Sequence, residues 1–241
     1  MSDGVLLIHA FPLDARMWEP QMFGRGVVAP DLPGFGSAPS AGEVMTMGAA
    51  ATHCLAAANE AGLDRLVVCG LSMGGYVAFE LWRQAPERFV GLVLANTRAG
   101  ADTPEAAEGR RALAERLRTE GNILADTPPP LLAEDADEAL QERVKRWIAD
   151  QPADAIAAAA LGMAERPDST GDLPGISVPT LVITSDGDRL IPADATSPMA
   201  EQIPGARLEV LQGVGHLTNV EAPDSFTALL RDHVARCGVA I

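Results

Sequence analysis

One stretch of sequence decides how the rest of the chain is interpreted: Leu66-Val67-Val68-Cys69-Gly70-Leu71-Ser72-Met73-Gly74-Gly75. Its first four residues form a continuous apolar run, which is typical of a strand buried on both faces. The next five match the pattern Gly-x-Ser-x-Gly, and a helix-length segment, Tyr76–Gln84, follows. Glycines around a serine permit a sharp, strained turn that exposes the hydroxyl between strand and helix. The stretch therefore predicts a nucleophilic Ser72 at the carboxyl end of a strand.

Other apolar runs of strand length lie on both sides of this stretch, and helix-length segments separate them. The runs are Val5–Ile8, Gly26–Ala29, Val90–Ala95, Thr180–Ile183 and Leu208–Leu211. Strands that alternate with helices predict an α/β fold, in which right-handed crossovers connect the strands of a parallel sheet. Ligands of such sheets bind outside the carboxyl ends of the strands, so the residues that follow each strand are the candidates for chemistry.

The alternation stops between Arg98 and about Ile176, where no strand is predicted. This interval carries three helical stretches, Glu105–Glu120, Ala136–Ala149 and Asp154–Ala164. It is too long for a loop in a compact domain. We therefore expect a helical insertion that lies over the sheet.

Size and charge limit the classes of function. The chain has 241 residues, and at about 100–200 residues per domain this predicts one large domain, alone or with an insertion. It carries 18 Lys and Arg against 33 Asp and Glu, a formal net charge of −15. Such a surface repels phosphate, so we expect no binding to nucleic acid or to anionic membranes.

Targeting, membrane and redox signals are not predicted. The only early charge is Asp3, whereas a signal peptide needs a basic start. The longest charge-free apolar stretch, Ala155–Ala164, is about half of the ~20 residues that span a bilayer. Cys54, Cys69 and Cys237 are too far apart in sequence for a C-x-x-C motif. We expect a cytoplasmic protein that has neither a metal site nor a cofactor.

A serine hydroxyl needs a base to become nucleophilic, and a base needs a carboxylate to orient it. His216 follows the last predicted strand on a glycine-flanked loop and is the candidate base, whereas His9 is expected to shape the first loop. Both Asp186 and Asp188 follow the strand Thr180–Ile183. Either could be the orienting acid, and the other would cap the loop or be solvated.

With these residues in place, the chain resembles the α/β-hydrolase superfamily. The first two signatures are His9-Ala10-Phe11-Pro12, similar to an oxyanion loop, and Asp31-Leu32-Pro33-Gly34-Phe35-Gly36-Ser37. The nucleophile turn at Ser72 follows, and Asp188, which precedes Pro192 by four residues, comes before Gly215-His216. The resemblance implies a core of residues 1–97 and 176–241 and a helical cap of residues 98–175.

The resemblance also implies roles for single residues. The spacing to the proline favours Asp188 over Asp186, and the position of an alternative acid after the fourth strand is occupied by Asn96. The oxyanion donors are expected to be the Met73 amide and, by its position in the first loop, the Phe11 amide, with the Leu13 amide as the alternative to Phe11. In order to stabilise the developing negative charge, main-chain donors must point at the oxyanion.

The opening antiparallel hairpin that is usual in the family is missing, since Val5–Ile8 already matches the third strand. We therefore expect a parallel sheet of about six strands with Gly26–Ala29 at one edge and Leu208–Leu211 at the other. An exposed edge strand can be covered by a second copy of the chain, so a homodimer could form.

The implied activity is that of a serine esterase or of an enzyme similar to 3-oxoadipate enol-lactonase, acting on a small ester or lactone through an acyl-enzyme. Arg98 and Arg166 are candidates for binding a substrate carboxylate, against the alternative of internal salt bridges. Trp18 could line the pocket or fill the core. The same triad could also serve C–C bond hydrolysis or perhydrolysis, and a non-catalytic small-molecule receptor is a further alternative.

Overall fold

A six-stranded sheet organises residues 2–240, which the computed structural model describes. Its strands are β1 (Asp3–Ile8), β2 (Val27–Val28), β3 (Arg65–Leu71), β4 (Phe89–Ala95), β5 (Thr180–Ser185) and β6 (Arg207–Leu211). They lie in the order β2-β1-β3-β4-β5-β6, and every neighbouring pair is parallel. The predicted sheet, with its two edge strands, is confirmed.

Helices connect the strands. They are α1 (Met47–Glu60), α2 (Met73–Gln84), α3 (Pro104–Glu120), α4 (Glu138–Ala149), α5 (Ala153–Ala164), α6 (Ala193–Thr196), α7 (Pro198–Gln202), α8 (Thr218–Glu221) and α9 (Pro223–Arg236). Side-chain caps define several starts: Thr46 accepts from the Ala49 amide before α1, and Thr103 accepts from the Ala106 amide before α3. The helix α2 begins three residues earlier than predicted, because the nucleophile turn leads into it directly.

Two hydrophobic clusters cover the two faces of the sheet. Leu6 and Ile8 of β1 belong to one cluster, and Val5 and Leu7 belong to the other. Burial on both faces explains the continuous apolar runs of the central strands. The edge strand β6 differs, since every second residue is exposed and the side chains of Leu208 and Val210 face solvent. The homodimer that this edge would permit remains a prediction.

The chain between β4 and β5 is helical, as predicted, and it packs tightly on the rest of the molecule. Helix α5 belongs to the same hydrophobic cluster as α1 and α2. The Met45 amide before α1 donates to the Ala158 carbonyl of α5, and the Met45 carbonyl lies so close to Gly162 that a Cβ there would overlap it. The division into a core of residues 1–97 and 176–241 and a cap of residues 98–175 remains our proposal.

Three further observations concern residues 2–240 as a whole. None of their helices is both long and apolar enough to cross a bilayer. No group of three or more His, Cys, Asp and Glu side chains in this range is arranged to hold a metal ion. Cys54 and Cys69 are buried, Cys237 is half-buried, and all three are free thiols.

Candidate active site

Ser72 lies in a strained turn between β3 and α2. Its backbone has a φ of 56° and a ψ of −116°, a left-handed conformation that is rare for residues other than glycine. Two glycines make the turn possible: a Cβ on Gly70 would overlap the Gly74 carbonyl, and a Cβ on Gly74 would overlap the Ile8 carbonyl of β1. The Gly-x-Ser-x-Gly pattern is therefore a packing requirement of this turn.

His216 and Asp188 form a buried pair. The imidazole Nδ1 lies 2.7 Å from Asp188 Oδ2, and the two residues are 1% and 5% exposed. The other carboxylate oxygen accepts from the amides of Leu190 at 2.8 Å and Ile191 at 2.9 Å. Because the carboxylate uses Nδ1, the Nε2 atom is the nitrogen left for proton transfer.

The environment of Asp188 favours its ionised form. Burial by itself would raise the pKa of this carboxyl. The hydrogen bond and charge of His216, with hydrogen bonds from the Ile191 amide and the Asn96 side chain, outweigh burial and lower the pKa of Asp188 below its ordinary value. A charged Asp188 can hold the imidazole in one tautomer and stabilise its protonated form.

Asn96 holds the acid in place, a role that the sequence analysis missed. Its Nδ2 donates to Asp188 Oδ2 at 2.9 Å and to Ser185 Oγ at 3.0 Å, and its Oδ1 accepts from Thr218 Oγ1 at 2.8 Å. The residue is fully buried and has a φ of 44°. A polar residue directly after a buried strand was the only signal in the sequence.

Asp186 lies outside this arrangement. Its side chain is exposed, and its Oδ1 accepts from the Gly213 amide at 2.7 Å. It therefore joins the loop that follows β5 to the loop that follows β6 and carries His216. The structure brings Asp188, and not Asp186, to His216.

Ser72 and His216 share one cavity of about 190 Å³. The rest of the wall is mostly apolar, with Phe11, Tyr76, Pro129, Leu131, Met163, Leu190 and Ile191, and it also contains Arg98 and Arg110. Among the hydrogen bonds of residues 2–240, none joins Ser72 Oγ to His216. Such contacts are commonly long without substrate and shorten when it binds.

Two backbone amides are available as oxyanion donors. Within the described chain, the amides of Phe11 and Met73 have no hydrogen-bond acceptor in the protein. The alternative donor, the Leu13 amide, is bonded to the Ala10 carbonyl at 2.9 Å. This occupancy favours Phe11 over Leu13 for the first-loop donor.

Of the three candidate substrate-binding residues, the structure places Arg98 at the cavity wall and neither Arg166 nor Trp18. Arg98 lines the cavity. Arg166 lies behind its wall, with a side chain 3% exposed and bonded to the Met163 and Gly100 carbonyls and to Asp102. Trp18 is fully buried against Phe226 in the cluster on the other face of the sheet. Arg110, which the sequence analysis did not single out, lines the cavity beside Arg98.

Comparisons with known proteins match most of the chain. A family model described as "Alpha/beta hydrolase family" matches residues 5–229. A solved structure of a thermophilic esterase from Thermogutta terrifontis, with malate bound, is 41% identical and has a TM-score of 0.92, over 98% of this chain and 90% of that chain.

Two curated relatives are more distant in sequence. The 3-oxoadipate enol-lactonase 1 of Acinetobacter baylyi is 26% identical, over 97% of this chain and 89% of its own length. The pimeloyl-[acyl-carrier protein] methyl ester esterase of Aeromonas hydrophila is 28% identical, over 95% of this chain and 94% of its own. Both carry names that describe the cleavage of a carboxylic ester or a lactone.

Proposed function

The chain belongs to the alpha/beta hydrolase family, and on that premise we propose that it is a serine hydrolase of small carboxylic esters or lactones. The observation that carries the proposal is the buried His216–Asp188 pair, 2.7 Å apart, in the cavity that also contains Ser72. A serine that lines a cavity, a histidine and an orienting carboxylate are the groups that acyl transfer needs.

In the proposed mechanism, Ser72 Oγ attacks the substrate carbonyl while His216 Nε2 accepts the hydroxyl proton. Asp188 stabilises the resulting imidazolium through Nδ1. The amides of Phe11 and Met73 donate to the developing oxyanion, and each such donor contributes about 10²–10³ in rate. The imidazolium then protonates the leaving alcohol, and an acyl-enzyme on Ser72 remains. Water, activated by His216, releases the acid and restores the serine.

The cavity supports a substrate of small size. Its volume of about 190 Å³ and its largely apolar wall suit a short acyl or lactone group better than a long chain. Two of the similar proteins agree with a small substrate, since one is named for a 3-oxoadipate enol-lactone and the thermophilic esterase was solved with malate, a small carboxylic acid.

The decisive variant is Ser72→Ala, tested on p-nitrophenyl acetate. We expect its kcat to fall by about 10⁴ or more because the nucleophile is lost, while circular dichroism shows that the fold is retained. A fluorophosphonate probe should label the wild type once per chain and leave Ser72→Ala unlabelled. A variant that still hydrolyses the ester at the wild-type rate would exclude Ser72 as nucleophile.

Parallel assays with other substrates distinguish the other functions that were considered for this triad. A dienone substrate tests C–C bond hydrolysis, and peroxide-dependent halogenation tests perhydrolysis. A receptor without catalysis would bind small molecules but would resist the fluorophosphonate and hydrolyse none of these substrates. We expect the ester to be the fastest of the three, because the similar proteins described above are named for the cleavage of esters and a lactone.

A further inference from the structure

We propose that the substrate carries a carboxylate, in addition to its ester or lactone group, and that Arg98 and Arg110 bind this carboxylate in the active-site cavity. The inference rests on the proposed function and specifies its substrate class. It starts from a cluster of charged side chains at the cavity wall, which consists of Arg98, Arg110, Arg166 and Asp102.

Asp102 is the centre of the cluster. Its side chain is 1% exposed and contacts three guanidinium groups: Arg98 at 2.6 Å, Arg110 at 2.5 Å and Arg166 at 2.9 Å. Burial alone would raise the pKa of Asp102, but Arg110 and Arg166 outweigh it and lower this pKa, so the carboxylate is charged. One negative charge thus faces three positive charges, and the cluster has an excess of positive charge.

Other carboxylates do not neutralise this excess at the cavity. Asp168 is the next acidic group whose pKa responds to Arg166, but it contacts the amides of Thr170 and Ala101 and does not line the cavity. The described cavity wall contains two arginines and no Asp or Glu. The chain has a net charge of −15, so a cavity wall whose charged side chains are two arginines and no carboxylate is a local exception.

The three arginines have different tasks. Arg166 has a structural role inside the protein. It donates to two carbonyls, pairs with Asp102 and lies over the Tyr76 ring, 4.0 Å from the ring centroid. Arg98 and Arg110 each direct only one nitrogen to Asp102, Nη2 and Nε respectively. Their side chains are 33% and 24% exposed and both line the cavity.

Free donors therefore remain on both lining arginines. Within residues 2–240, Arg98 Nη1 and the two terminal nitrogens of Arg110 have no hydrogen-bond partner, and Arg98 Nε is buried without one. Planar guanidinium groups match a carboxylate in shape and charge. Asp102 holds both arginines in position, so a substrate carboxylate would meet donors that are already oriented.

The test compares two esters of equal length. Mono-p-nitrophenyl glutarate ends in a carboxylate, and the p-nitrophenyl ester of glutaric acid monoamide ends in a neutral amide. We expect the wild type to favour the carboxylate by about tenfold or more in kcat/KM, since a hydrogen bond to a charged group is worth at least one decade. In Arg110→Met and in Arg98→Met this ratio should fall by about tenfold.

Arg111→Met is the matched control. It removes the same charge at the neighbouring position of α3, but Arg111 is exposed, pairs with Glu108 and does not line the cavity. The ratio of its kcat/KM values for the carboxylate ester and the amide ester should equal that of the wild type. A ratio that Arg110→Met and Arg111→Met change equally would overturn the proposal. Equal kcat/KM values of the wild type for the charged and the neutral ester would overturn it if they are found both in this pair and in the pair of 4-acetoxybutyrate and 4-acetoxybutyramide.

A second pair of substrates locates the carboxylate within the ester. 4-Acetoxybutyrate carries it in the alcohol half, and 4-acetoxybutyramide is its neutral counterpart. A preference for the charged member of either pair that depends on Arg98 and Arg110 supports the subsite. Loss of the preference in both pairs contradicts it.

Binding separates a failure of the subsite from a failure of the proposed function. If no ester is hydrolysed in a manner that depends on Ser72, the proposed function fails, and calorimetry with glutarate and glutaramide then tests the subsite. Glutarate should bind the wild type about tenfold more tightly than glutaramide, and more tightly than it binds Arg110→Met. Should Arg110→Met not fold, Arg110→Lys keeps the charge but loses the planar donors and should show the same direction of change. Equal affinity for glutarate and glutaramide would overturn the subsite.

Discussion

Asp186 and Asp188 lie two residues apart on one loop, and their hydrogen bonds give them different tasks. Asp188 is buried and accepts from His216, Asn96 and the loop amides, whereas exposed Asp186 accepts from the Gly213 amide. The two positions therefore form a matched pair of variants. Both replacements, Asp→Asn, keep the size of the side chain and remove the same charge.

For Asp188→Asn we expect kcat to fall by about 10⁴, because an amide at this position favours the wrong imidazole tautomer. For Asp186→Asn we expect kcat within about threefold of the wild type, because the Asn oxygen can still accept from the Gly213 amide. Steady-state kinetics with p-nitrophenyl acetate measure both. The assignment of the acid is wrong if the variant at position 186 is the one that loses activity.

Local sequence was enough to predict the turn at Ser72, whereas the role of Asn96 depends on a contact that only the fold creates. The turn at Ser72 can be derived from its glycines alone, since each excludes a Cβ by contact with nearby backbone. Asn96 and Asp188 are 92 residues apart and meet only because β4 and β5 end side by side. No spacing along the chain predicts that contact.

At the scale of elements, apolar runs located the sheet well because its central strands are buried on both faces. The edge strand β2 is shorter than predicted, two residues instead of the four of Gly26–Ala29, because only Val27 and Val28 pair with β1. Helix α3 was predicted within one residue, yet Arg110 was not recognised. The many polar residues of α3 are typical of a helix that faces solvent. Arg110 faces the cavity because α3 packs against α5.

Helix α8 connects the segment around Leu131 and Ala133, in the proposed cap, to the loop that carries the candidate base. Its last residue, Glu221, accepts from the Ala133 amide at 2.9 Å and from the Gly215 amide at 3.0 Å. The Leu217 amide also donates to the Leu131 carbonyl at 3.0 Å. The segment that contains Leu131 and Ala133 thus shares its hydrogen bonds with the residues on both sides of His216.

We expect Glu221→Gln to loosen this connection, because an amide offers one acceptor oxygen where two backbone donors need one each. A buried donor left without a partner costs about 1–3 kcal/mol, so the free energy of unfolding should fall by that amount. Hydrogen exchange of the Ala133 and Gly215 amides should accelerate, and kcat should fall because the histidine loop is less well held. Urea unfolding, amide exchange and ester hydrolysis measure the three effects.

Glu134→Gln is the control for this element. Glu134 lies on the same segment, but its side chain is 82% exposed and its salt bridge with Arg189 is at the surface. Exposed pairs of this kind contribute about 0–1 kcal/mol. If exchange at Ala133 and Gly215 is as slow in Glu221→Gln as in Glu134→Gln, Glu221 does not connect the cap and the loop.

For the whole molecule, two buried histidines with lowered pKa values, His9 and His233, contribute to the response of stability to acid. His9 is fully buried, its Nδ1 donates to the Ala10 carbonyl and its Nε2 accepts from the Leu32 amide at 2.9 Å. Protonation of Nε2 would remove that acceptor, and burial lowers the pKa of His9. His233 on α9 is 1% exposed, and burial together with the positive charge of Arg207 lowers its pKa to about 4.

A histidine whose pKa is lower in the folded state stabilises the fold above its unfolded pKa, and the contribution is lost as the pH falls. Between about pH 6.5 and pH 4 the unfolded chain binds a proton at His233 that the folded chain does not. We expect this residue alone to reduce the free energy of unfolding by about 3 kcal/mol over that range. His9 adds to the loss, while Glu221 opposes it, since burial raises its pKa. Asp188 and Asp102 contribute only in stronger acid, because their pKa values are lowered below 3.8.

Urea unfolding at pH 7.0, 5.5 and 4.5 tests this prediction, with His233→Gln as the informative variant. Glutamine takes up no proton in this pH range. Between pH 6 and 4.5 the free energy of unfolding of His233→Gln should therefore fall less steeply than that of the wild type, by about 1.4 kcal/mol per pH unit. Val234→Ala is the control, because it removes buried apolar volume at the neighbouring position without changing proton uptake. It should lower the free energy of unfolding by a similar amount at each pH and keep the wild-type slope. An equal slope in His233→Gln and the wild type would show that His233 takes up its proton over the same pH range in the folded and unfolded states. The acid sensitivity would then have to arise from His9 and the carboxylates.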